Sequence, residues 1–286
     1  MPARPARRGV PGYTPAMPWD LLAPVVDQRE LGPGHWLLVL EAPEIAAAAR
    51  AGEFVMLGFP GIERMLIRRP FSIARVGDGS GGPRTIEIVY KVFGTRTEAF
   101  SALRPGATMT VLGPLGRGFW LPEPDGPREL LLVAGGIGIA IFPLLVQQLG
   151  PRAAEATLLY GARTAGELVL REWFAGRGVR VEVATDDGSA GRHGVVTGLL
   201  EERLDRPPRG TRLVMACGPS PMLRAVADLT LARGVSCQLA LEETMACGFG
   251  VCLGCVVPRR HPEGEFDRYV RVCTEGPVFD AREVAP

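Results

Sequence analysis

The sequence predicts a three-part protein: an antiparallel β-barrel, an α/β domain built on a parallel sheet, and a small C-terminal module that contains four cysteines. Three observations predict this fold class. Short β-like runs separated by Gly and Pro turns fill the first part, strand-helix units repeat in the second, and the cysteines cluster near the end. We therefore place the domains at residues 19–125, 126–243 and 244–286, behind a tail at 1–18.

The tail is rich in Pro, Arg and Ala and has no periodicity, so we interpret it as disordered, with a targeting sequence as the alternative. Six cysteines are an even number, yet four belong to one C-terminal pattern and no signal peptide precedes the fold. We therefore expect a protein of the reducing cytoplasm.

Length and charge limit the class of function. At 286 residues with 47% hydrophobic content, the chain can fill two cores and an appendage. The 32 basic and 31 acidic residues are spread along the chain, so neither nucleic acid nor an anionic membrane is an expected partner. The apolar run Leu130–Val146 contains three glycines and a proline and is short for a bilayer, which favours a strand, a turn and a helix.

The predicted barrel consists of short β-like runs, with one helical stretch, TEAFSAL, and a flexible hairpin loop at Val76–Pro83. An antiparallel barrel is the simplest fold for such runs. The runs are HWLLVLEA, FVMLGF, RRPFSIARV, TIEIVYKVF and TMTVLGP.

A candidate anion site follows the fourth run. Gly94 makes a turn, Thr97 is the expected N-cap of the next helix, and Glu98 lies in its first turn. Because a helix N-terminus presents free backbone N–H groups, this position suits a pyrophosphate, and Arg96 adds a cation beside it.

The second domain alternates strand-like and helical segments, which predicts a parallel sheet with helices on both faces. Its first turn contains Gly135, Gly136 and Gly138, where a dinucleotide pyrophosphate can approach the backbone amides. The last glycine of the usual fingerprint is absent. The strands are ELLLVA, ATLLYGA, VRVEVATD, RLVMACG and SCQLALEE, and the helices are IAIFPLLVQQL, AGELVLREWF, GVVTGLLEERL and SPMLRAVADLTLARG.

Four cysteines follow the spacing C-x4-C-x2-C-x17-C, which is the ligand pattern of a plant-type 2Fe-2S cluster. Structural zinc sites usually have two short-spaced pairs, whereas here only Cys252 and Cys255 form such a pair; zinc and disulfides are the alternatives to the cluster. A Rieske centre would need two histidines, and only His261 lies in this segment. Three glycines in the loop are expected to let the backbone curl around the cluster. The cysteines are Cys247, Cys252, Cys255 and Cys273, and the glycines are Gly248, Gly250 and Gly254.

Two further motifs resemble those of ferredoxin–NADP reductase-like flavoproteins. Arg69-Pro70-Phe71-Ser72 matches their R-x-[YF]-S pattern, and the turn from Cys217 to Met222 is similar to their C-G-P-x-P-M motif, which borders the nicotinamide. The resemblance implies that Arg69 binds the pyrophosphate of FAD, Phe71 lies against the flavin and Ser72 lies near its reactive edge. The other residues implied for FAD are Pro70, Val89, Tyr90, Lys91, Gly94, Arg96 and Thr97; those for NAD(H) are Gly135, Gly136, Gly138, Cys217, Gly218, Pro219 and Met222.

The order of the modules, together with MACGFGVCLGC and VCTEGPVF, resembles the electron-transfer subunits of bacterial NAD-dependent, heteromeric dihydroorotate dehydrogenases over about residues 19–281. NADH delivers two electrons as hydride and a 2Fe-2S cluster accepts one at a time, so FAD must stand between them. The resemblance implies a partner: an FMN-containing catalytic subunit that oxidises dihydroorotate to orotate, in an assembly of two copies of each chain.

Two other interpretations remain open. The chain is also similar to diaphorase subunits of hydrogenases, sulfite reductases and ferredoxin transhydrogenases, which share these motifs. A regulatory redox or metal-binding module with vestigial nucleotide sites is the alternative from another class. Glu242 and Glu243 lead directly into the cysteine loop, Cys237 is expected in the core, and Asp186-Asp187-Gly188 is interpreted as a turn.

Overall fold

The computed structural model describes residues 17–60, 67–79, 82–120 and 129–286, so most of the predicted tail lies outside the described residues. The first domain is a seven-stranded antiparallel sheet with two short helices. Its elements are β1 Trp19–Gly32, β2 His35–Glu41, α1 Pro43–Ala48, β3 Phe54–Gly58, β4 Arg69–Ser72, β5 Arg75–Gly79, β6 Gly82–Lys91, α2 Thr95–Ser101 and β7 Thr108–Leu115.

The strands of this sheet lie in the order β4-β3-β7-β1-β2-β6-β5. The two edge strands, β4 and β5, are separated by only two residues of chain, Ile73 and Ala74. The sheet must therefore curl until its edges approach. The two linking residues bond to opposite sides of it, since the Ile73 N–H donates to the Glu53 carbonyl and the Ala74 N–H to the Glu87 carbonyl of β6. The predicted barrel is thus a curled antiparallel sheet whose edges are joined by the chain.

One local prediction in this domain needs correction, and two elements are additional to those predicted. The hairpin predicted as a loop at Val76–Pro83 is strand on both sides, because β5 and β6 pair antiparallel from Arg75 opposite Glu87 to Gly79 opposite Gly82. Strand β1 was missed, since its long polar pattern matches neither period well, and it pairs with both β2 and β7. Helix α1 was also missed.

The second domain has a central sheet with helices around it. The predicted helix after the first strand starts as a 3-10 segment, Gly136–Ile141, and Pro143 lies in the first turn of the α-helix that follows, where a missing N–H has no partner to lose. The elements are β8 Glu129–Gly135, α3 Phe142–Leu149, β9 Ala156–Ala162, α4 Arg171–Ala175, β10 Arg180–Thr185, β11 Arg192–His193, α5 Val196–Leu204, β12 Arg212–Cys217, α6 Ser220–Ala232 and β13 Ser236–Ala240.

The C-terminal segment contributes two hairpin strands, a short helix and one strand of the central sheet. The strand order of that sheet is β11-β10-β9-β8-β12-β13-β16, and β16 runs antiparallel to β13. The expected parallel sheet is therefore mixed, because a strand from beyond the cysteines completes it. These elements are β14 Val256–Pro258, β15 Tyr269–Arg271, α7 Val272–Glu275 and β16 Val278–Asp280.

Residues 276–278 hold the three parts of the chain together. The Arg117 N–H donates to the Gly276 carbonyl (2.5 Å), and the Val278 N–H donates to the Arg117 carbonyl (3.3 Å). The Leu241 N–H donates to the Pro277 carbonyl (2.9 Å). This short stretch, which follows Cys273 closely, thus bonds to the barrel on one side and to the central sheet on the other.

One helical stretch, Gly136–Glu155, is long and apolar enough to cross a membrane by length and composition. Sixty-one percent of its most apolar window is buried inside the fold, as in the core helix of a soluble protein. This supports the interpretation of the apolar run as strand, turn and helix.

Two glutamines of α3 fasten the second domain to the barrel. The side-chain amide of Gln148 accepts from the Ala51 N–H (3.0 Å) and donates to the Ala49 carbonyl (3.1 Å). Gln147 bonds in the same two-way manner to the N–H and carbonyl of Val76 (3.1 and 3.0 Å), but in a more exposed place. Each glutamine amide therefore bonds to a backbone N–H and a backbone carbonyl of the barrel, as the backbone of a neighbouring strand would.

We expect Gln148→Ala to lower the free energy of unfolding by about 1–3 kcal/mol, because it leaves a part-buried N–H and carbonyl without partners. Gln147→Ala is the matched control and should cost less, since water can replace its exposed bonds. Urea unfolding of the flavin-loaded protein measures both. Equal losses for the two variants would contradict this account of the domain contact.

Candidate functional site

The strand β4, which carries the R-x-[YF]-S motif, forms one edge of the curled sheet and is half-buried along its length. Burial, and then the charge of nearby Arg96, lowers the pKa of the Arg69 guanidinium. Among the described residues neither arginine has a carboxylate partner; Arg96 donates only to the Ile67 carbonyl, at 3.4 Å. Two unneutralised cations side by side suit a pyrophosphate, which supplies the missing negative charge.

The side chain of Phe71 is half-buried against two further aromatic rings. Its ring centroid lies 6.0 Å from Tyr90, edge-on, and 5.4 Å from Phe100. Tyr90 is fixed in turn by Gln28, whose Nε2 donates to the phenol oxygen (2.8 Å), and burial raises the pKa of Tyr90 to about 12. The rings therefore form a rigid support that holds the partly exposed Phe71 in place.

The glycine turn before α2 differs from the prediction. The N-cap is Gly94, with a positive φ of 84°, and the helix starts at Thr95, so Thr97 is not the N-cap. Instead, the Thr97 hydroxyl accepts from the Phe93 N–H (2.6 Å) and donates to the Gly94 carbonyl (3.1 Å), while Glu98 lies in the first turn as expected. The Thr97 side chain thus stabilises the turn by bonding to its backbone. Gly94 provides a positive-φ conformation that residues with a side chain rarely adopt.

Lys91 is engaged in a contact between the domains. Its Nζ lies 3.0 Å from Oε1 of Glu167, which also pairs with Arg163 at the carboxyl end of β9. Hydrogen bonds from Arg163 and, with a smaller effect, from Lys91 lower the pKa of Glu167 to about 2. Val89 is buried in a cluster with Ala140 of the second domain. Val89 and Lys91 therefore contribute to the contact between the barrel and the second domain.

The two glycine-bearing turns predicted for the coenzyme meet at the carboxyl ends of the adjacent strands β8 and β12. A Cβ on Gly135 would lie 2.6 Å from Sδ of Met222 and 2.9 Å from Cδ of Pro219. A Cβ on Gly138 would lie 2.3 Å from the Cys217 carbonyl oxygen. These glycines thus permit contact between the two turns.

Gly136 differs from its two neighbours. Its φ is +52°, and a Cβ there would meet nothing within 4 Å. This open space at the carboxyl edge of the sheet is the position at which α/β domains bind nucleotides. The three predicted glycines therefore have two roles. Gly135 and Gly138 allow the two turns to touch, whereas Gly136 faces open space.

Cys217 is buried, and its Sγ lies 3.9 Å from Oε1 of Glu242. Burial and then the charge of Glu242 raise the pKa of the thiol well above its usual value. Glu242 is open to solvent on part of its surface and enclosed by protein elsewhere, and this enclosure raises the pKa of its carboxyl. The thiol is thus un-ionised, in keeping with a packing role beside the coenzyme; Cys237 is buried in β13, as expected.

The four cysteines of the C-terminal loop form two pairs. The Cys252 N–H donates to Sγ of Cys247 (3.5 Å), and the Cys273 N–H donates to Sγ of Cys255 (3.4 Å). Burial of Cys247 opposes its ionisation. Hydrogen bonds from backbone N–H groups outweigh burial and lower the pKa of the thiol to about 6, and the largest contributions come from Cys252 and Phe249. Burial and the Cys255 thiol raise the pKa of Cys273 to about 12.

This donor set fits a two-iron cluster, in which each iron takes two thiolates and the backbone N–H groups point at sulfur. Among the described residues, no three His, Cys, Asp or Glu side chains are placed to hold a single metal ion.

The cysteine loop is shaped by positive-φ positions. Gly248 (φ +81°) and Gly250 (φ +88°) take the role predicted for them, and a Cβ on Gly248 would lie 2.6 Å from Cγ of Met56 in β3. Gly254 does not, since its φ is not positive and a Cβ would make an ordinary 3.6 Å contact with Sγ of Cys252. Leu253 adopts φ +56° in its place, although it is 59% exposed.

The three candidate sites lie next to one another. Met56, on which Gly248 packs, is opposite Pro70 in the pairing of β3 with β4. Glu242, which contacts Cys217, lies five residues before Cys247. The cysteine loop is therefore one strand away from the R-x-[YF]-S motif and one short segment away from the coenzyme turn.

Comparisons with known proteins show which families the chain resembles. The family model for the iron-sulfur cluster binding domain of dihydroorotate dehydrogenase B matches residues 242–285, and that for an oxidoreductase NAD-binding domain matches residues 132–228. The electron transfer subunit of dihydroorotate dehydrogenase B (NAD(+)) from Desulforamulus reducens is 35% identical over 254 residues, which is 89% of this chain and 94% of the relative. The subunit of that name from Geobacillus kaustophilus is 36% identical over 260 residues, which is 91% of this chain and 96% of the relative.

Among solved structures, the fold is similar to that of an NADH-dependent reduced ferredoxin-NADP oxidoreductase studied for flavin-based electron bifurcation. The TM-score is 0.77 at 27% identity, with 96% of this chain and 91% of the other covered. A ferredoxin NADP+ reductase from Neisseria gonorrhoeae, with bound FAD and NADP, shares the fold with a TM-score of 0.61 at 21% identity. The match covers 75% of this chain and 92% of the other.

We expect Gly138→Ala to slow the reduction of bound flavin by NADH on the order of tenfold to a hundredfold, because a Cβ 2.3 Å from the Cys217 carbonyl oxygen must push the two turns apart. Stopped-flow bleaching of the flavin band measures the rate. Gly264→Ala is the control, since a Cβ there meets nothing within 4 Å. A wild-type rate for Gly138→Ala at saturating and limiting NADH would contradict the assignment of this contact.

Proposed function

This chain belongs to the family of electron transfer subunits of dihydroorotate dehydrogenase B, and from that premise we propose that it carries electrons between NADH and an FMN-containing catalytic subunit that oxidises dihydroorotate to orotate. We assign residues 19–125 to FAD, 126–243 to NAD(H) and 244–286 to the cluster. The proposed assembly contains two copies of each chain, as the family resemblance implies.

One observation supports this function above the others: the three sites touch within a single chain. The cysteine loop packs on β3, β3 pairs with the strand of the flavin motif, and the coenzyme turn contacts the segment that enters the loop. Bound FAD can take a hydride from NADH and release single electrons, and a 2Fe-2S cluster passes them on one at a time. The adjacency of the three candidate sites therefore supports the proposed transfer.

For FAD, we propose that Arg69 and Arg96 bind the pyrophosphate between them, since their charges face each other without a carboxylate among the described residues. Phe71, supported by Tyr90 and Phe100, presents a ring for the flavin to lie against. Ser72 ends the same strand opposite Phe54, and we propose that it lies near the reactive edge of the flavin.

For the coenzyme, we propose NADH. The open space at Gly136 receives the pyrophosphate, and Cys217, Gly218, Pro219 and Met222 border the nicotinamide. A carboxylate at the end of the strand next to the glycine turn typically binds the free ribose hydroxyl of NAD(H). Glu167, close to the end of β9, is ionised and neutralises Arg163, the cation there that would otherwise attract a 2′-phosphate.

The cluster is held by Cys247, Cys252, Cys255 and Cys273. Cys255 and Cys273 are 2% and 1% exposed, whereas Cys252 is exposed to solvent. Large apolar side chains surround the exposed side of the loop: Phe249 (51% exposed), Val251 (73%) and Leu253 (59%). Exposed apolar side chains next to a redox centre favour a protein partner, so we propose that the catalytic subunit docks on this loop.

A second candidate acceptor has a specific observation behind it. The similarity to the NADH-dependent reduced ferredoxin-NADP oxidoreductase covers 96% of this chain, so a diaphorase role in another complex fits the same sites. Purification of the chain with its partner from the source cell separates the two. An FMN protein with dihydroorotate activity supports the first proposal, and any other redox partner supports the second.

We expect Cys252→Ser to remove the broad visible absorption of the cluster and block transfer to an external one-electron acceptor, while NADH still bleaches the flavin at the wild-type rate. The reason is that Cys252 belongs to the loop, whereas the coenzyme turn is built by Gly135 to Met222. Anaerobic absorption and stopped-flow spectra measure both, and NADPH at equal concentration should bleach the flavin more slowly.

Cys237→Ser is the matched control, because this buried thiol lies in β13 away from the loop, and it should keep the cluster. If Cys252→Ser lost both the cluster and the reduction of flavin, the order of the modules proposed here would be wrong.

We expect Val251→Asp to weaken capture of the catalytic subunit by at least about tenfold, since a carboxylate placed in an apolar contact loses its hydration. Titration calorimetry with the separately purified subunit measures the affinity. Val195→Asp is the matched control, because Val195 is 62% exposed on the second domain. Equal affinities for the wild type and Val251→Asp would place the docking surface elsewhere.

A further inference from the structure

Thr274 directly follows the fourth cysteine in α7, and its hydroxyl is unusual. The oxygen is buried, yet it has no hydrogen-bond partner among the described residues. A buried hydroxyl without a partner costs roughly 1–3 kcal/mol, so such groups are rare unless something else bonds to them. Thr274 also lines a cavity of about 550 Å³ together with Phe249 and Cys273, but its oxygen is turned away from solvent.

Two hydrogen-bond donors lie close to this hydroxyl, the Gly250 N–H and the Arg271 guanidinium. A Cβ on Gly250 would lie 2.9 Å from Cγ2 and 3.5 Å from Oγ1 of Thr274, so the threonine covers that peptide. The Gly250 N–H is itself turned to the sulfur of Cys273. The nearby Arg271 guanidinium, 3.5 Å from the same Cβ position, offers only donors. The Gly250 N–H beside Thr274 thus faces the sulfur of Cys273, whereas Arg271 donates to Oε1 of Glu275.

We propose that the Thr274 hydroxyl donates a hydrogen bond to a sulfur of the cluster at Cys273 and thereby raises the reduction potential of that cluster. The inference rests on the proposed cluster site. Reduction adds one negative charge to the cluster, and a hydrogen bond to sulfur stabilises the more negative state more strongly. Thr274 is thus a positioning residue that sets how readily the cluster accepts an electron.

The test is an anaerobic redox titration of the full-length holoprotein, followed by the electron paramagnetic resonance signal of the reduced cluster. Thr274→Val keeps the shape of the side chain without the hydroxyl. We expect its equilibrium constant for one-electron reduction to fall about tenfold, which is a shift of ~59 mV to more negative potential. Thr274→Ser, which restores the donor, should return the midpoint to the wild-type value.

Thr230→Val is the matched control, because the Thr230 hydroxyl is equally buried but bonds to the carbonyls of Val226 and Ala227 in α6. It should leave the midpoint unchanged. If Thr274→Val fails to hold the cluster, Thr274→Ala provides the same measurement with a smaller side chain.

A Thr274→Val or Thr274→Ala protein with a full complement of cluster and a wild-type midpoint would overturn the inference and leave the proposed function intact. Absence of any cluster signal from the wild-type protein after anaerobic purification would instead refute the proposed function. The two failures are therefore distinguishable in one set of samples.

Discussion

The structure depends on the double attachment of residues 276–278. These three residues bond to Arg117 of the barrel and to Leu241 at the end of the central sheet, and β16 then continues as an antiparallel strand of that sheet. Cys273 lies only three residues upstream, so its position is fixed relative to both domains at once. A redox loop on a flexible tail would have no constant distance to a flavin, whereas this one is held by backbone hydrogen bonds on two sides.

The same requirement for fixed, short distances explains the close contacts elsewhere. Gly135, Gly138 and Gly248 all lie where a Cβ would collide with a neighbouring element. The collisions at Gly135 and Gly138 would push apart the two turns of the coenzyme site, and the collision at Gly248 would push the cysteine loop away from β3. The polar contacts between domains act in the same direction, since Gln148 and the Lys91–Glu167 ion pair both join the barrel to the second domain.

The sequence predicted the features that depend on local chemistry. The cysteine spacing, the glycine turns and the alternation of strands and helices need only short stretches of chain, and the family comparisons support the function predicted from them. The features it missed depend on contacts distant in sequence. The addition of β16 to the sheet, the pairing of Lys91 with Glu167 and the contact of Cys217 with Glu242 join residues that no periodicity connects. Gly254 and Leu253 show the opposite case, in which the residue that adopts the special backbone conformation is not the glycine.

The exposure of the four cysteines gives the proposed path a direction. Cys255 and Cys273 are enclosed by the C-terminal hairpin and α7, whereas Cys252 is exposed between the exposed side chains of Val251 and Leu253. An electron must leave the chain at a place that a partner can approach, and water must be kept from the rest of the cluster. A non-glycine residue with positive φ is strained unless its surroundings fix it, and Leu253 is mostly exposed. Leu253 lies between Cys252, which is exposed, and Cys255, which is buried, so its conformation belongs to the turn at which the loop passes from the surface to the interior.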